Sequence, residues 1–205
     1  MKYNIVIKFK RAIDLAGAFL GLILVLPVLM TCSLLILIFT GGPILFKQLR
    51  PGYKEKPFEL YKFRTMREAC GADGRELPDE ARLTWLGKIL RRTSLDELPE
   101  IFNILKGDMS LVGPRPLLME YLNRYTPEER RRHDMPPGIT GWAQIHGRNL
   151  LSWEEKFKYD VWYVDNWSLW LDLRILCITV WKVLKGEGIS NKGHATMEKF
   201  MGYEK

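Results

Sequence analysis

Two adjacent carboxylates, Asp96 and Glu97, are the residues whose types and spacing best suit chemistry in this sequence. They fall in the first turn of a predicted helix, and the positive end of a helix favours the ionised form of Asp96. An ionised aspartate that faces a cleft can act as an oxygen nucleophile without a base to deprotonate it. Ser94 and Glu97 also have the spacing of a capping box, so a purely structural helix start is the alternative interpretation.

Arginines suited to binding anions stand on both sides of this carboxylate pair. Arg91 precedes it and can donate paired hydrogen bonds to phosphate oxygens. Arg115 lies between Pro114 and Pro116, which fix the backbone and leave the guanidinium little entropy to lose on binding. These residues predict a site for a phosphate group, while a solvated helix end and an ordinary Pro-rich loop are the structural alternatives.

The composition of the whole chain agrees with an anionic partner. Among its 205 residues, 31 Lys and Arg against 24 Asp and Glu give a net charge of +7, and 47% of the residues are hydrophobic. Nucleic acid, a membrane surface and a phosphorylated substrate all fit this charge, whereas so apolar a chain is not disordered. The three cysteines form no CxxC pair and the three histidines lack metal-ligand spacing. A reducing, cytosol-facing environment is therefore the simplest interpretation.

The N-terminal part has the composition of a membrane segment, because no charged residue lies between Asp14 and Lys47. A helix over residues 15–40 would measure about 39 Å at 1.5 Å per residue, against a bilayer core of about 30 Å. Pro27 lies inside this helix and is expected to kink it. Since basic clusters flank the segment on both sides, the positive-inside rule favours a re-entrant helix that turns at Pro27. A tilted spanning anchor with a kink is the alternative.

From residue 47 onward the pattern predicts a basic domain of helices and short strands. Residues 44–48 and 58–64 favour strands joined in a hairpin, and residues 68–80 favour a loop. Apolar residues at helical spacing predict amphipathic helices over residues 81–92 and from Ser94 to a stop at Gly107. Residues 169–184 mix Trp and Leu with basic residues, which suits either a helix in the headgroup plane or one packed on the core.

Six motifs in their order along the chain resemble those of the bacterial sugar transferase family, the monotopic phosphoglycosyl transferases, and in particular its small PglC-like members. They are KRAID at 10–14, YKFRTM at 61–66, SLDELP at 94–99, NILKGDMS at 103–110, VGPRP at 112–116 and PGITGW at 137–142. Together they are far more specific than any one of them. Familiar members carry a Ser-Pro pair at the helix break, where this sequence has Leu26 and Pro27, so no serine hydroxyl is present there to bond the freed backbone carbonyl.

The resemblance implies a monotopic α/β membrane protein, mostly helical with short strands. A re-entrant helix would occupy residues 1–46, and a catalytic domain with interfacial helices residues 47–205. The enzyme would move a phospho-sugar from a UDP-sugar to polyprenyl phosphate at the cytoplasmic face of the bacterial inner membrane, with Mg²⁺, and release UMP. The implied partners are these two substrates, membrane lipid and downstream glycosyltransferases, but not nucleic acid. The sugar stays open, as does the alternative of a membrane-anchored basic module that binds anionic lipid or nucleic acid without catalysis.

The family also implies roles for individual residues. The Asp of the Asp-Glu pair, here Asp96, carries the covalent phospho-sugar intermediate, and Glu97 ligates the metal or orients the acceptor phosphate. Both carboxylates are candidate Mg²⁺ ligands. The candidates for binding nucleotide and phosphate groups are Arg91, Lys62, Arg148 and the loop of Pro114, Arg115 and Pro116. Asp172 is a weaker site candidate, because the family has a polar residue at its position.

Overall fold

The computed structural model describes residues 2–69, 77–147, 150–185 and 199–203 and confirms a mostly helical α/β fold with short strands. The helices are α1 Lys2–Thr40, α2 Asp79–Arg82, α3 Trp85–Arg92, α4 Glu100–Lys106, α5 Pro127–Arg130, α6 Trp142–His146, α7 Trp153–Asp165 and α8 Leu169–Lys185. The strands are β1 Leu45–Pro51, β2 Pro57–Phe63, β3 Ser110–Val112 and β4 Gly138–Thr140. Short 3₁₀ turns cover Tyr53–Glu55, Leu95–Glu97, Met119–Asn123 and Arg131–Asp134.

Helix α1 is long and apolar enough to cross a membrane. Ile7–Thr40 contains a stretch with a mean hydropathy of 2.9, of which only 17% is buried in the fold. The core helix of a soluble protein would be mostly buried, so the exposed Leu, Ile and Phe side chains of α1 indicate a membrane-associated protein. The helix begins earlier than residue 15 and includes the first basic cluster. It also continues through Pro27, where Thr31 Oγ1 donates to the Pro27 carbonyl at 2.8 Å, so the re-entrant path stays a prediction.

The N-terminal part of α1 docks on the rest of the fold through polar side chains. Arg11 donates from its guanidinium to the carbonyls of Ile104 and Leu105 near the end of α4. Asp14 Oδ1 accepts a hydrogen bond of 3.0 Å from the backbone N–H of Leu111 in β3. These contacts satisfy backbone groups that the ends of short elements leave unpaired. The KRAID motif therefore joins α1 to α4 and β3.

A buried ion pair joins α1 to α8. Lys10 Nζ lies 2.6 Å from Asp172 Oδ2, and both side chains are almost inaccessible to solvent. Trp167 Nε1 donates to the same oxygen at 3.0 Å, and the Tyr163 hydroxyl donates to Asp172 Oδ1 at 2.7 Å. Among the described contacts Asp172 does not touch Asp96. The structure thus places this weaker candidate in a structural network and does not bring it into the site.

The predicted hairpin is present, and α4 holds it in place. Strands β1 and β2 are antiparallel with Leu45 opposite Phe63, and β1 runs beyond its predicted end to Pro51. The side-chain Oδ1 of the fully buried Asn103 accepts from the Tyr61 N–H at 3.0 Å, while its Nδ2 donates to the carbonyl of residue 59 at 2.6 Å. A buried amide bonded on both sides fixes β2, and with it the neighbouring residue 62, relative to α4.

The single helix predicted over residues 81–92 is wrong, because the structure has two helices there. After α2, Leu83 pairs with Met66 in an isolated β-bridge, and Thr84 then begins α3 by accepting from the Gly87 N–H at 2.9 Å. A β-carbon at residue 87 would lie 2.1 Å from the Thr65 carbonyl oxygen, so only glycine allows this approach. Much of the predicted loop over 68–80 lies outside the described residues. The sequence does not predict the parallel pair β3–β4, because three-residue strands are too short to show an alternating pattern of apolar and polar residues.

Helix α8 packs on the core, as one of the two alternatives predicted for residues 169–184 requires. Leu171 and Ile175 are buried in the core, whereas Trp170 is 74% exposed and Trp181 and Val180 are also largely exposed. The other face is apolar and bears Trp, so a position of this helix in the headgroup plane stays a prediction.

Removing the charge of Asp172 should destabilise the protein strongly. In Asp172→Asn the Lys10 ammonium stays buried without its counter-charge, which typically costs about 3–5 kcal/mol. The matched control is Asp165→Asn, because Asp165 pairs with Arg131 on the surface and exposed pairs contribute about 0–1 kcal/mol. Thermal unfolding in detergent micelles measures both variants. Equal losses of stability in the two variants would show that the buried pair stabilises the protein no more than an exposed pair does.

Candidate active site

Asp96 and Glu97 lie in a 3₁₀ turn between α3 and α4, not in the first turn of an α-helix. Ser94 adopts the left-handed conformation, with φ 56°, and its side chain makes no capping hydrogen bond. The α-helical part begins only at Glu100, although it ends at Gly107 as predicted. The predicted capping box is therefore wrong, because the Glu97 side chain is engaged by distant residues instead of by Ser94.

Glu97 is held by two cations from other parts of the chain. Lys62 Nζ, from β2, lies 2.6 Å from Glu97 Oε1. Arg115 donates to both carboxylate oxygens, through Nη2 to Oε1 and through Nη1 to Oε2 at 3.5 Å. The structure thus brings together three of the predicted site residues, Glu97, Lys62 and Arg115. Charge-assisted bonds of this kind are the strong ones in proteins.

The two carboxylates titrate differently because of these cations. Burial raises the pKa of Glu97, but the charges of Arg115 and Lys62 outweigh burial and hold it well below its usual range. Burial and the neighbouring Glu97 charge together raise the pKa of Asp96 to about 6. Burial and the charge of Glu97 therefore oppose the predicted effect of a helix end on Asp96, and its ionisation through that effect stays a prediction.

The Asp96 carboxylate is available for chemistry. Within the described part of the chain, no group donates a hydrogen bond to it, although the charges of Lys62, Arg91 and Arg115 all act on it. Arg91 is fixed at the end of α3, where its Nε donates to Thr65 Oγ1 at 3.1 Å. A half-buried carboxylate without hydrogen-bond donors, surrounded by three cations, is suited to nucleophilic attack on a phosphate group.

Hydrogen bonds hold every carbonyl of the Pro114–Pro116 loop. The Pro114 oxygen accepts from the Gly138 N–H at 3.1 Å. The Arg115 oxygen accepts from Arg132 Nη2 at 2.7 Å, and the Pro116 oxygen accepts from Arg50 Nη1 at 3.4 Å. The two prolines predicted a stiff loop, and these bonds supply the remaining restraint on the position of the Arg115 guanidinium.

Sequence reasoning missed Arg132 and its partner Asp160. Arg132 is the largest fully buried side chain among the described residues, and it donates to Asp160 Oδ2 from Nε at 3.0 Å and from Nη2 at 2.6 Å. A buried arginine needs such a partner. Asp160 lies in α7, 28 residues after Arg132, and nothing in the local sequence links the two residues.

Two further predictions concern Arg148 and the metal. Arg148 lies outside the described residues. Among the residues that the structure describes, no three His, Cys, Asp or Glu side chains gather as a metal site. Mg²⁺ is usually bound in enzymes by one or two carboxylates together with substrate phosphates and water. Asp96 and Glu97 have the right donor chemistry for that arrangement, although Glu97 would have to share its oxygens with Lys62 and Arg115.

The separation of the two pKa values can be measured directly. We expect the Asp96 carboxyl group to become protonated as the pH falls through about 6, while Glu97 stays ionised. In Glu97→Gln the pKa of Asp96 should fall for two reasons. The negative charge beside it is removed, and the positive charges of Lys62 and Arg115 are no longer balanced by Glu97. Carboxyl ¹³C NMR of labelled protein follows both titrations. An Asp96 that titrates near 4 in the unchanged protein would contradict the burial seen here.

Comparison with known proteins identifies the family. The family described as "Bacterial sugar transferase" matches residues 5–186. The chain is 55% identical over 201 residues to the "Uncharacterized sugar transferase EpsL" of Bacillus subtilis, covering 94% of this chain and 96% of that protein. It is 40% identical over 183 residues to the "UDP-glucose:undecaprenyl-phosphate glucose-1-phosphate transferase" of Escherichia coli, covering 84% of this chain but 39% of that protein. It is 38% identical over 196 residues to the "Undecaprenyl-phosphate galactose phosphotransferase" of Salmonella typhimurium, covering 87% and 41%. It therefore spans nearly all of the first relative and about two fifths of the other two, and it belongs to the bacterial sugar transferase family.

Proposed function

We propose that this protein transfers a phospho-sugar from a UDP-sugar to polyprenyl phosphate through a covalent intermediate on Asp96. The observation that carries the proposal is the position of Asp96 beside Glu97, with Lys62, Arg91 and Arg115 around the pair. No residue in the described ranges donates a hydrogen bond to the Asp96 carboxylate. The names of relatives supply the substrate classes, since they describe transfer of sugar phosphates to undecaprenyl phosphate.

The reaction has two balanced steps. In the first, an Asp96 carboxylate oxygen attacks the β-phosphorus of the UDP-sugar, and the bond from that phosphorus to the bridging oxygen breaks and releases UMP. In the second, a phosphate oxygen of the polyprenyl phosphate attacks the phosphorus of the aspartyl intermediate. The product is a polyprenyl diphosphate sugar, and Asp96 returns to its carboxylate form. Enzymes that add further sugars would consume this product, so downstream glycosyltransferases are the proposed partners.

The cations make the first step feasible. A carboxylate and a diphosphate repel each other unless positive charge lies between or around them. Arg115 suits this role, because its side chain is 43% exposed even while it binds Glu97, and its planar fork matches phosphate oxygens. Asp96 and Glu97 are the proposed ligands of Mg²⁺, which would neutralise phosphate charge when bound.

Contacts at both ends of α1 support a monotopic arrangement at the cytoplasmic face of the bacterial inner membrane. Lys10 and Arg11 near its start bind α8 and α4. At its other end, Arg64 of the segment after β2 donates to the carbonyls of Thr40 and Gly41 at 2.7 and 2.8 Å. Since both ends touch one basic domain, both are expected on the same side of the bilayer. The helix would then be re-entrant, with its turn at Pro27.

The alternative of a basic binding module without catalysis is not favoured. It required residues 94–97 to be an ordinary capping box, and Ser94 makes no such hydrogen bond. Release of UMP from a UDP-sugar would separate the two functions. The names of the relatives differ in their sugars, which include glucose, galactose and N-acetylgalactosamine. A screen of UDP-sugars with undecaprenyl phosphate is therefore the experiment that identifies the donor.

Asp96→Asn should abolish turnover while the protein stays folded. The amide is a poor nucleophile, and the carboxylate that it replaces makes no hydrogen bond within the described residues. Intact-mass spectrometry of the unchanged protein with a UDP-sugar should show a phospho-sugar adduct, which Asp96→Asn should lack. Asp79→Asn is the matched control, because Asp79 pairs with Arg82 outside the site. Robust turnover by Asp96→Asn would remove Asp96 from the nucleophilic role.

Cysteine labelling tests the path of α1. With Cys32, Cys70 and Cys177 replaced, single cysteines are introduced by Lys2→Cys and by Lys56→Cys, the latter at an exposed position. A membrane-impermeant thiol reagent should reach both from the cytoplasmic side only. In Pro27→Leu the uninterrupted apolar helix becomes more able to span, so labelling of residue 2 from outside should increase. Labelling of residue 2 from outside in the presence of Pro27 would mean that α1 spans the membrane.

A further inference from the structure

A third carboxylate, Glu100, lies beside the Asp96–Glu97 pair and has no role in the proposed reaction. It is 3% exposed at the start of α4. Its Oε1 lies 3.3 Å from Lys62 Nζ, and the same ammonium lies 2.6 Å from Glu97 Oε1. Lys62 therefore bridges one carboxylate that faces the site and one that is buried behind it.

Burying an ionised carboxylate at this position lowers the stability of the fold. Taking an ionised carboxylate out of water costs several kcal/mol before its partner compensates. Burial raises the pKa of Glu100, and the positive charge of Lys62, 3.3 Å away, opposes that rise and favours the ionised form. A neutral side chain of similar size would fill the same space without that cost. The arrangement therefore favours a function for the charge itself.

The two carboxylates differ in what they can reach. The Glu97 side chain is 20% exposed and already shares its oxygens between Lys62 and Arg115, so any ligand that enters the site competes for it. Glu100 is buried too deeply to contact a ligand. When Glu97 turns towards a ligand, Glu100 is the buried carboxylate that still lies 3.3 Å from the Lys62 ammonium.

We propose that Glu100 is a positioning residue, which keeps the Lys62 ammonium beside Asp96 and Glu97 when Glu97 engages a ligand. This inference rests on the proposed function in one respect, since Lys62 is taken to stabilise the negative charge that develops on the phosphate group during its transfer. Lys62 sits on β2, whose position Asn103 of α4 already fixes. The same helix thus places both the backbone of Lys62 and, through Glu100, its charged end.

The first test measures Lys62 itself and needs no turnover. The Lys62 ammonium lies between two carboxylates, 2.6 Å from Glu97 Oε1 and 3.3 Å from Glu100 Oε1. Glu100→Gln keeps the size and an acceptor oxygen but removes the charge, so the pKa of Lys62 should fall. Acylation of Lys62 at a series of pH values, read by peptide mass spectrometry, follows this shift. The matched control is Glu59→Gln, the same change on β2 at an exposed pair with Lys47, which should leave Lys62 unchanged.

The second test separates binding from chemistry. In Glu100→Gln, kcat should fall roughly ten- to hundredfold, the loss expected for a misplaced catalytic group, while KM for the UDP-sugar changes little. Glu100→Asp keeps the charge on a shorter side chain and should recover part of kcat. A folded Glu100→Gln with unchanged kcat and unchanged Lys62 titration would overturn the proposal.

Failure of both variants to fold would also overturn it, because Glu100 would then serve stability alone. If the unchanged protein transferred no sugar phosphate, the proposed function would fail. The Lys62 titration would still decide the role of Glu100.

Discussion

The ionised carboxylate of Glu97 is the interaction on which the rest of the site depends. It binds Lys62 and Arg115, which lie 35 residues before and 18 residues after it in the sequence. These bonds draw the hairpin, the 3₁₀ turn and the proline-flanked loop towards one point. Lys62 and Arg115 donate to Glu97. The carboxylate of the neighbouring Asp96 therefore accepts no hydrogen bond from the described residues. The proposed nucleophile and the carboxylate that binds the cations are thus adjacent residues.

Hydrogen bonds to neighbouring residues hold the arginines of the site in place. Arg132 is bonded to Asp160 and to the carbonyl of Arg115, so the loop is held from its backbone and not through the guanidinium. Arg91 is bonded by its Nε to Thr65. An arginine whose position is set in advance loses little entropy when it meets an anion. The site therefore has cations in position before a ligand arrives.

The sequence predicts elements with a strong local pattern and fails where distant residues decide. The hairpin, the end of α4 at Gly107 and the apolar helix to Thr40 follow from alternation, glycine and hydropathy over neighbouring residues. Ser94 and Glu97 have a correct local spacing for a capping box, yet long-range cations compete for the same carboxylate and prevail. A pattern that spans four residues contains no information about that competition, because the competing cations lie outside it.

The same reason explains which residues of the candidate site the sequence could predict. Asp96, Glu97 and Arg115 stand in short distinctive motifs, and the structure brings Lys62 to them. Glu100 had no signal, because its burial depends on the packing of α4 against β2. Asp172 stood out only because the family has a polar residue at its position, which does not distinguish a structural aspartate from one in an active site. It is Lys10, 162 residues away, that makes it structural.

Helix α1 cannot be treated as a detachable anchor. Ala18, Leu29, Cys32 and Ile36 belong to the same apolar core as Phe58, Leu60 and Ile104 of the domain. Removing the helix to obtain a water-soluble enzyme would leave part of that core open, and Asp172 would lose the cation that it was buried with. Exchange of the helix for that of an unrelated membrane protein would do the same harm. Solubility and an intact active site are therefore competing aims for this fold, because the candidate membrane helix also completes the interior of the domain.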